Sequence, residues 1–179
     1  MKCFLSKLIL PILICYPLPP EAKAFPFINN EARNESSLCK SNKFSIEEIV
    51  DKVKGGVVVI TTNTASGSGF VIEKSNNKTY ILTNSHVLNG NKKALIKWND
   101  GKEDVAYLVS DAGGISNQTD LALLSIRGEY GTKLPFKNKK ISIGSEVLAI
   151  GAPEGLEFTF TKGIISSTRD KNTLIQTDA

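Results

Sequence analysis

YILTNSHVL (residues 80–88) carries the only histidine of the chain, His86, and 34 residues later TDLALLSI (residues 119–126) carries a single acid, Asp120. An imidazole that activates a serine hydroxyl takes its proton at one ring nitrogen, while a carboxylate holds the other nitrogen in the right tautomer. A base and an orienting acid are therefore legible, in the order His then Asp. The third member is not: the sequence ends IQTDA (175–179), and no serine beyond Asp120 sits in the Gly-rich turn that a nucleophile with backbone oxyanion donors requires. Taken singly, neither run decides anything. A lone histidine beside an apolar strand is more often a packing residue, and an Asp before Leu-Ala-Leu-Leu can simply open a strand.

The surroundings of the two residues are β-rich. Short β-branched and aromatic runs occupy residues 57–62, 69–73, 79–83, 95–98, 104–109 and 121–126, a spacing that suits one closed antiparallel barrel. Asn76-Asn77 and Asp100-Gly101 are the hairpin turns, the second with the composition of a type I′ turn. SGSG (66–69) lacks the Lys-Ser/Thr and following helix of a phosphate loop and is expected to be a tight strand connection. Ahead of the barrel, Ser45 and Glu48 form a capping box, with Phe44 and Ile49 as its hydrophobic staple. Ile46, Ile49, Val50 and Val53 recur at helical spacing, and Gly55-Gly56 is expected to stop the helix. A linker over 128–140 precedes three further strands at 146–151, 158–167 and 173–176, too few to close a barrel and expected to leave open edges.

The succession SGSGFVI (66–72), YILTNSHVL, Asp100-Gly101, TDLALLSI, EVLAIGAPEGLEFTFTKGIIS (146–166) and LIQTDA (174–179) resembles the trypsin-like serine proteases, and within them the HtrA/Deg branch. The resemblance runs from about residue 57 to 179. It implies an all-β, chymotrypsin-like antiparallel double β-barrel, the first barrel complete and the second cut in half. It also implies His86 as general base and Asp120 as its orienting acid in a serine endopeptidase that acts on protein or peptide substrates. In the family a Gly-Asn-Ser-Gly-Gly turn bearing the nucleophile follows the run similar to IQTDA, so these 179 residues are expected to be inactive alone. A PDZ domain and homo-oligomerisation are possible in a longer parent. Two other readings stay open: a noncatalytic short relative acting as a binding or regulatory β-barrel, and a β-barrel in which His86 and Asp120 fall together by accident.

Composition narrows the partners. Residues 1–24 combine Lys2 and Lys7, the apolar run LILPILICY (8–16) and the small-residue site Ala22-Lys23-Ala24, which reads as a secretory signal. The apolar stretch is far shorter than the roughly 20 residues needed to span a bilayer, so no stable membrane insertion is expected after cleavage. The expected product is exported, to the periplasm or the outside, with a mobile leader at 25–43, a helix and first barrel at 44–127, and a partial second barrel at 141–179. Of the net charge of +4, residues 1–24 hold +2 through three lysines and one glutamate, so the rest is close to neutral and no nucleic-acid partner is implied. Cys3 and Cys15 leave with the signal, so Cys39 can form no disulfide within the processed chain. One histidine and one remaining cysteine make a zinc site unexpected, and no metal or organic cofactor is implied. Sequons begin at Asn34, Asn77 and Asn117. Intact-mass measurement of the exported protein should give a chain that starts at Phe25; a product that keeps Met1, or that carries lipid on Cys15, contradicts this reading.

Overall fold

A computed structural model describes residues 12–14, 44–113, 119–136, 141–151, 158–169 and 174–179. Most of the signal and leader, with Cys15 and Cys39, the sequons at Asn34 and Asn117, and the linker residues 137–140 lie outside the described residues. The elements in chain order are β1 (Ile12–Ile14), α1 (Ile46–Val53), β2 (Val57–Thr61), β3 (Ser66–Ser75), β4 (Lys78–Thr83), α2 (Ser85–Leu88), β5 (Lys93–Trp98), β6 (Glu103–Asp111), β7 (Ala122–Arg127), β8 (Glu146–Gly151), β9 (Thr159–Arg169) and β10 (Leu174–Thr177). Strands β2 to β7 form one closed barrel in the order β2-β3-β4-β7-β6-β5, every pair antiparallel.

The barrel closes because each strand offers an inward apolar row. Val58, Ile60, Val71, Ile81, Ile96 and Leu124 fill the interior, all without measurable exposure except as packed neighbours of one another. β2 departs from alternation, since four successive residues, Val57 to Ile60, are buried. Its second face is covered too: Val57 joins Ile49 and Val53 of α1, Leu134, and Leu148 and Ile150 of β8 in a second cluster. Helix α1 starts at the expected capping box, where Ser45 N–H donates to Glu48 Oε2 at 2.8 Å and Glu48 N–H to Ser45 Oγ at 3.2 Å. Phe44 is exposed and carries the Lys52 ammonium 3.0 Å from its ring centroid, while Ile49 is spent on the second cluster.

Two local expectations need correction. Asn76 and Asn77, not Asp100-Gly101, make the type I′ turn, because both have φ above zero (54° and 56°) and Ser75 pairs directly with Lys78. At the other hairpin only Gly101 is left-handed; Gly101 N–H donates to Trp98 O at 2.9 Å and Trp98 N–H to Lys102 O at 2.8 Å, so the loop is the three residues Asn99 to Gly101. SGSG lies inside β3 and pairs with β2, Val58 opposite Gly69 and Ile60 opposite Gly67. Gly69 is required by packing: a Cβ there would lie 2.6 Å from Ile60 Cδ1 and 2.9 Å from Ile81 Cγ2. The helix stops at Gly55-Gly56 as expected: α1 ends at Val53, the chain tightens into a 3₁₀ turn over Lys54–Gly56, and a Cβ on Gly56 would sit 2.3 Å from Thr132 O.

The first nine residues of the expected linker lie along the barrel. Thr132 N–H donates to Gly55 O and Leu134 N–H to Val71 O, at 2.9 and 3.0 Å. Thr79, fully buried on the inward face of β4, donates through Oγ1 to Gly128 O and accepts from Tyr130 N–H, each at 2.8 Å. Beyond, β8, β9 and β10 form the partial second sheet, in the order β1-β8-β9-β10. In the unprocessed chain the β8 edge is covered, since Ile12 to Ile14 pair with it antiparallel, Ile12 opposite Ile150; these residues belong to the expected signal, so a chain that starts at Phe25 keeps the expected open edge. Replacing Thr79 by Val removes two part-buried hydrogen bonds, so it should destabilise the barrel by about 1 kcal/mol or more. Urea unfolding followed at the single tryptophan, Trp98, would measure this, and an unchanged midpoint would show that the Thr79 hydroxyl is dispensable.

Candidate active site

The register of β4 against β7 brings the site together. Thr83 stands opposite Ala122, so Asn84 to His86, just past the end of β4, meet Asp120, just before the start of β7. α2 is a single turn. Its Val87 and Leu88 are buried in the barrel core, and its C-cap, Asn89, adopts the left-handed conformation (φ 45°, ψ 45°) with its N–H returned to Ser85 O. Anchoring those two apolar residues leaves His86 facing outwards. Gly67 permits the anchoring, because a Cβ there would lie 2.6 Å from Val87 Cγ2.

His86 and Asp120 are hydrogen-bonded twice. The ring Nδ1 lies 2.5 Å from Asp120 Oδ2, and the His86 backbone N–H donates to Asp120 Oδ1 at 2.9 Å. The Asn84 side chain adds a third tie, Nδ2 donating to the Asp120 carbonyl at 2.9 Å. Partial burial pushes the Asp120 carboxyl up, but the ring hydrogen bond, the backbone N–H groups of His86 and Ser85 and the charge of the imidazole outweigh it and hold the group below the usual carboxylate range. Asp120 is thus an anion at neutral pH, with Oδ2 aimed at Nδ1 of His86. Both side chains are about half exposed (47% and 49%), so solvent screens their attraction and the pair orients more than it stabilises.

Ser85 is turned elsewhere. Its Oγ donates to Asp111 Oδ1 at 2.6 Å, and Gly113 N–H donates to the same oxygen at 2.9 Å, so this hydroxyl binds the start of the loop that leads to Asp120. Among the described residues no group of three or more His, Cys, Asp or Glu side chains is placed to hold a metal ion.

Residues 67–179 match the trypsin-like peptidase domain family. The chain belongs to that family. Its relatives are of the HtrA type. It is 34% identical over 155 residues to the serine protease Do-like HtrA of Bacillus subtilis, covering 84% of this chain and 31% of that protein. It is 39% identical over 127 residues to the serine protease Do-like HtrA of Lactobacillus helveticus, covering 64% and 30%. Among solved structures, the serine endoprotease from Yersinia pestis superposes with a TM-score of 0.60 at 35% identity, over 73% of this chain and 47% of that one. The HtrA-type protease AlgW, solved with a tripeptide, gives 0.61 at 34% identity over 73% and 44%. The chain therefore spans about a third of the length of these curated relatives, and the double-barrel fold class expected of it is the one these neighbours have.

Sequence reading singled out His86 and Asp120, which the structure brings into hydrogen-bond contact, and did not single out Asn84, Gly67 or the Ser85–Asp111 bond. Glycines at alternate positions of a β-branched run were the available signal for Gly67, since they mark close approach of another segment. The depressed pKa of Asp120 fixes a pH dependence in this HtrA-type domain. A carboxyl lowered on folding contributes stability above its unfolded value, 3.8, and loses it as pH falls through the folded value. The stability advantage of the natural chain over Asp120→Asn should accordingly be present above pH 4 and vanish under stronger acid, as read by urea unfolding at a series of pH values; an advantage undiminished under stronger acid would contradict the assignment.

Proposed function

We propose that this chain is the N-terminal part of an exported serine endopeptidase that hydrolyses peptide bonds in protein substrates, with His86 as general base and Asp120 as its orienting acid. The observation that carries the reading is the double hydrogen bond from His86 to Asp120, ring to Oδ2 and backbone to Oδ1, on the barrel of a trypsin-like peptidase domain. Export rests on the Lys-flanked apolar run ending at Ala24 and on the relatives, one of which is named a periplasmic endoprotease, from Escherichia coli, 40% identical over 103 residues. Among the described residues no helix is long and apolar enough to cross a membrane.

The chemistry follows from what each group does. Nε2 of His86 takes the proton of a serine hydroxyl as it attacks the scissile carbonyl, and Asp120 stabilises the imidazolium that forms. Backbone N–H groups then hold the tetrahedral oxyanion, each worth about 3 kcal/mol. In this reading the nucleophile and those donors come from chain that follows Ala179, in the rest of the second barrel. Ser85 does not replace that nucleophile, because its hydroxyl is committed to Asp111 and it is the immediate neighbour of the base.

The 179-residue chain should cleave no casein above background and take no fluorophosphonate label. Joined to the downstream remainder of a second barrel it should do both, and His86→Ala in that longer protein should remove about three orders of magnitude or more of kcat. Labelling of the 179-residue chain itself would overturn this assignment of the nucleophile, and a longer protein that binds substrate but never cleaves it would favour a noncatalytic barrel.

A further inference from the structure

Asn84 occupies the N-cap of α2 and does not cap it. Its backbone is extended, φ −80° and ψ 144°, as an N-cap requires, yet its side chain accepts no hydrogen bond from the helix. An Asn at this position ordinarily accepts from the N–H of the second or third helical residue. Here the second helical residue is His86, and its N–H is taken instead by Asp120 Oδ1 at 2.9 Å. The Asn84 amide points across to β7, donating from Nδ2 to the main-chain carbonyl of Asp120 at 2.9 Å. Two chain segments remote in sequence thus exchange roles: Asp120 caps the helix that bears the base, and the cap residue holds the backbone of Asp120.

The exchange determines where Oδ2 points. Both oxygens of the Asp120 carboxylate meet α2, Oδ1 accepting from the His86 backbone and Oδ2 facing the His86 ring, with the Ser85 N–H as a further donor. With side chains half exposed, neither bond resists displacement by water strongly. The main chain around Asp120 is therefore what fixes the carboxylate, and it is tied by Asn84 on one side and by Ala112 N–H to Leu121 O, 2.9 Å, on the other. We propose that Asn84 is a positioning residue: its amide holds the Asp120 backbone so that Oδ2 meets Nδ1 of His86, and by declining the cap it leaves the His86 N–H to Oδ1. This rests on the reading of His86 and Asp120 as base and orienter.

The discriminating variant is Asn84→Asp, which has the same shape and caps helices as well as Asn but cannot donate to a carbonyl. A plain capping role predicts no loss on this change. Asn84→Ala removes the donor without adding charge. Because His86 is the only histidine, a full chain labelled with ¹⁵N-histidine gives one pair of ring nitrogen signals, and Trp98 fluorescence reports the barrel in the same sample. In the natural chain the neutral ring should be protonated at Nδ1, with that proton slow to exchange. Both variants should move the ring signals towards those of Asp120→Ala and speed exchange of the Nδ1 proton about tenfold, the equilibrium equivalent of one hydrogen bond, while the Trp98 signal stays folded. Ring signals unchanged in both variants would overturn the role of Asn84 while leaving the His86–Asp120 pair intact. Loss of the ring signature only together with the folded Trp98 signal would reduce Asn84 to a structural residue and overturn it as well. A natural chain whose ring signals already match Asp120→Ala would overturn the pair itself.

Discussion

The antiparallel register of β4 on β7 is the constraint on which the site depends. It sets Thr83 opposite Ala122, so that the two segments emerging from the end of that strand pair, Asn84–His86 and Asp120, lie side by side with no further adjustment. In a strand pair a slip of one residue turns every side chain to the other face. The register is protected against such a slip by the inward row of β4, Thr79, Ile81 and Thr83, and by the inward row of β7, Ala122, Leu124 and Ile126, all of them buried. The barrel core therefore specifies the position of two exposed polar residues that contribute little to it.

Around that pair the supporting parts are set by close approach. Val87 and Leu88 pull the single turn of α2 into the core, and Gly67 leaves the space in which Val87 can sit. The second cluster, from Ile49 and Val53 of α1 to Leu148 and Ile150 of β8, ties the partial second sheet to the outside of the barrel through Val57. In the unprocessed chain the β8 edge bears a strand from residues 12–14, whose backbone pairing is lost with the signal, so that in a chain starting at Phe25 this edge presents unpaired N–H and C=O groups.

Much of this was legible in the sequence. The strands at 57–61, 78–83, 122–127 and 146–151 stand within a residue or two of the β-branched runs that announce them, and the capping box at Ser45 and Glu48 is where its pattern puts it. His86 and Asp120 were legible because a lone histidine and a lone acid fell at strand ends in a recognisable order. What escaped depended on contacts between segments far apart in sequence. Asn84 reads as an ordinary cap until β7 is placed beside it, and Thr79 reads as one more strand threonine until Gly128 and Tyr130 are seen to need its hydroxyl. The Asp100-Gly101 turn misled for a related reason, since the register of β5 on β6 leaves a three-residue loop, Asn99 to Gly101, with a left-handed residue only at Gly101.

The proposal that His86 and Asp120 act together on a serine is tested most directly by a kinetic double-mutant cycle. In the longer protein that carries the completed second barrel, kcat would be measured for His86→Ala, Asp120→Ala and the two combined. Groups that work as one unit are strongly non-additive, so the double variant should be no slower than His86→Ala within about a factor of three. Losses that multiply, with the double variant slower by the full product of the two single effects, would mean that the residues act independently and that Asp120 is not the orienter of His86.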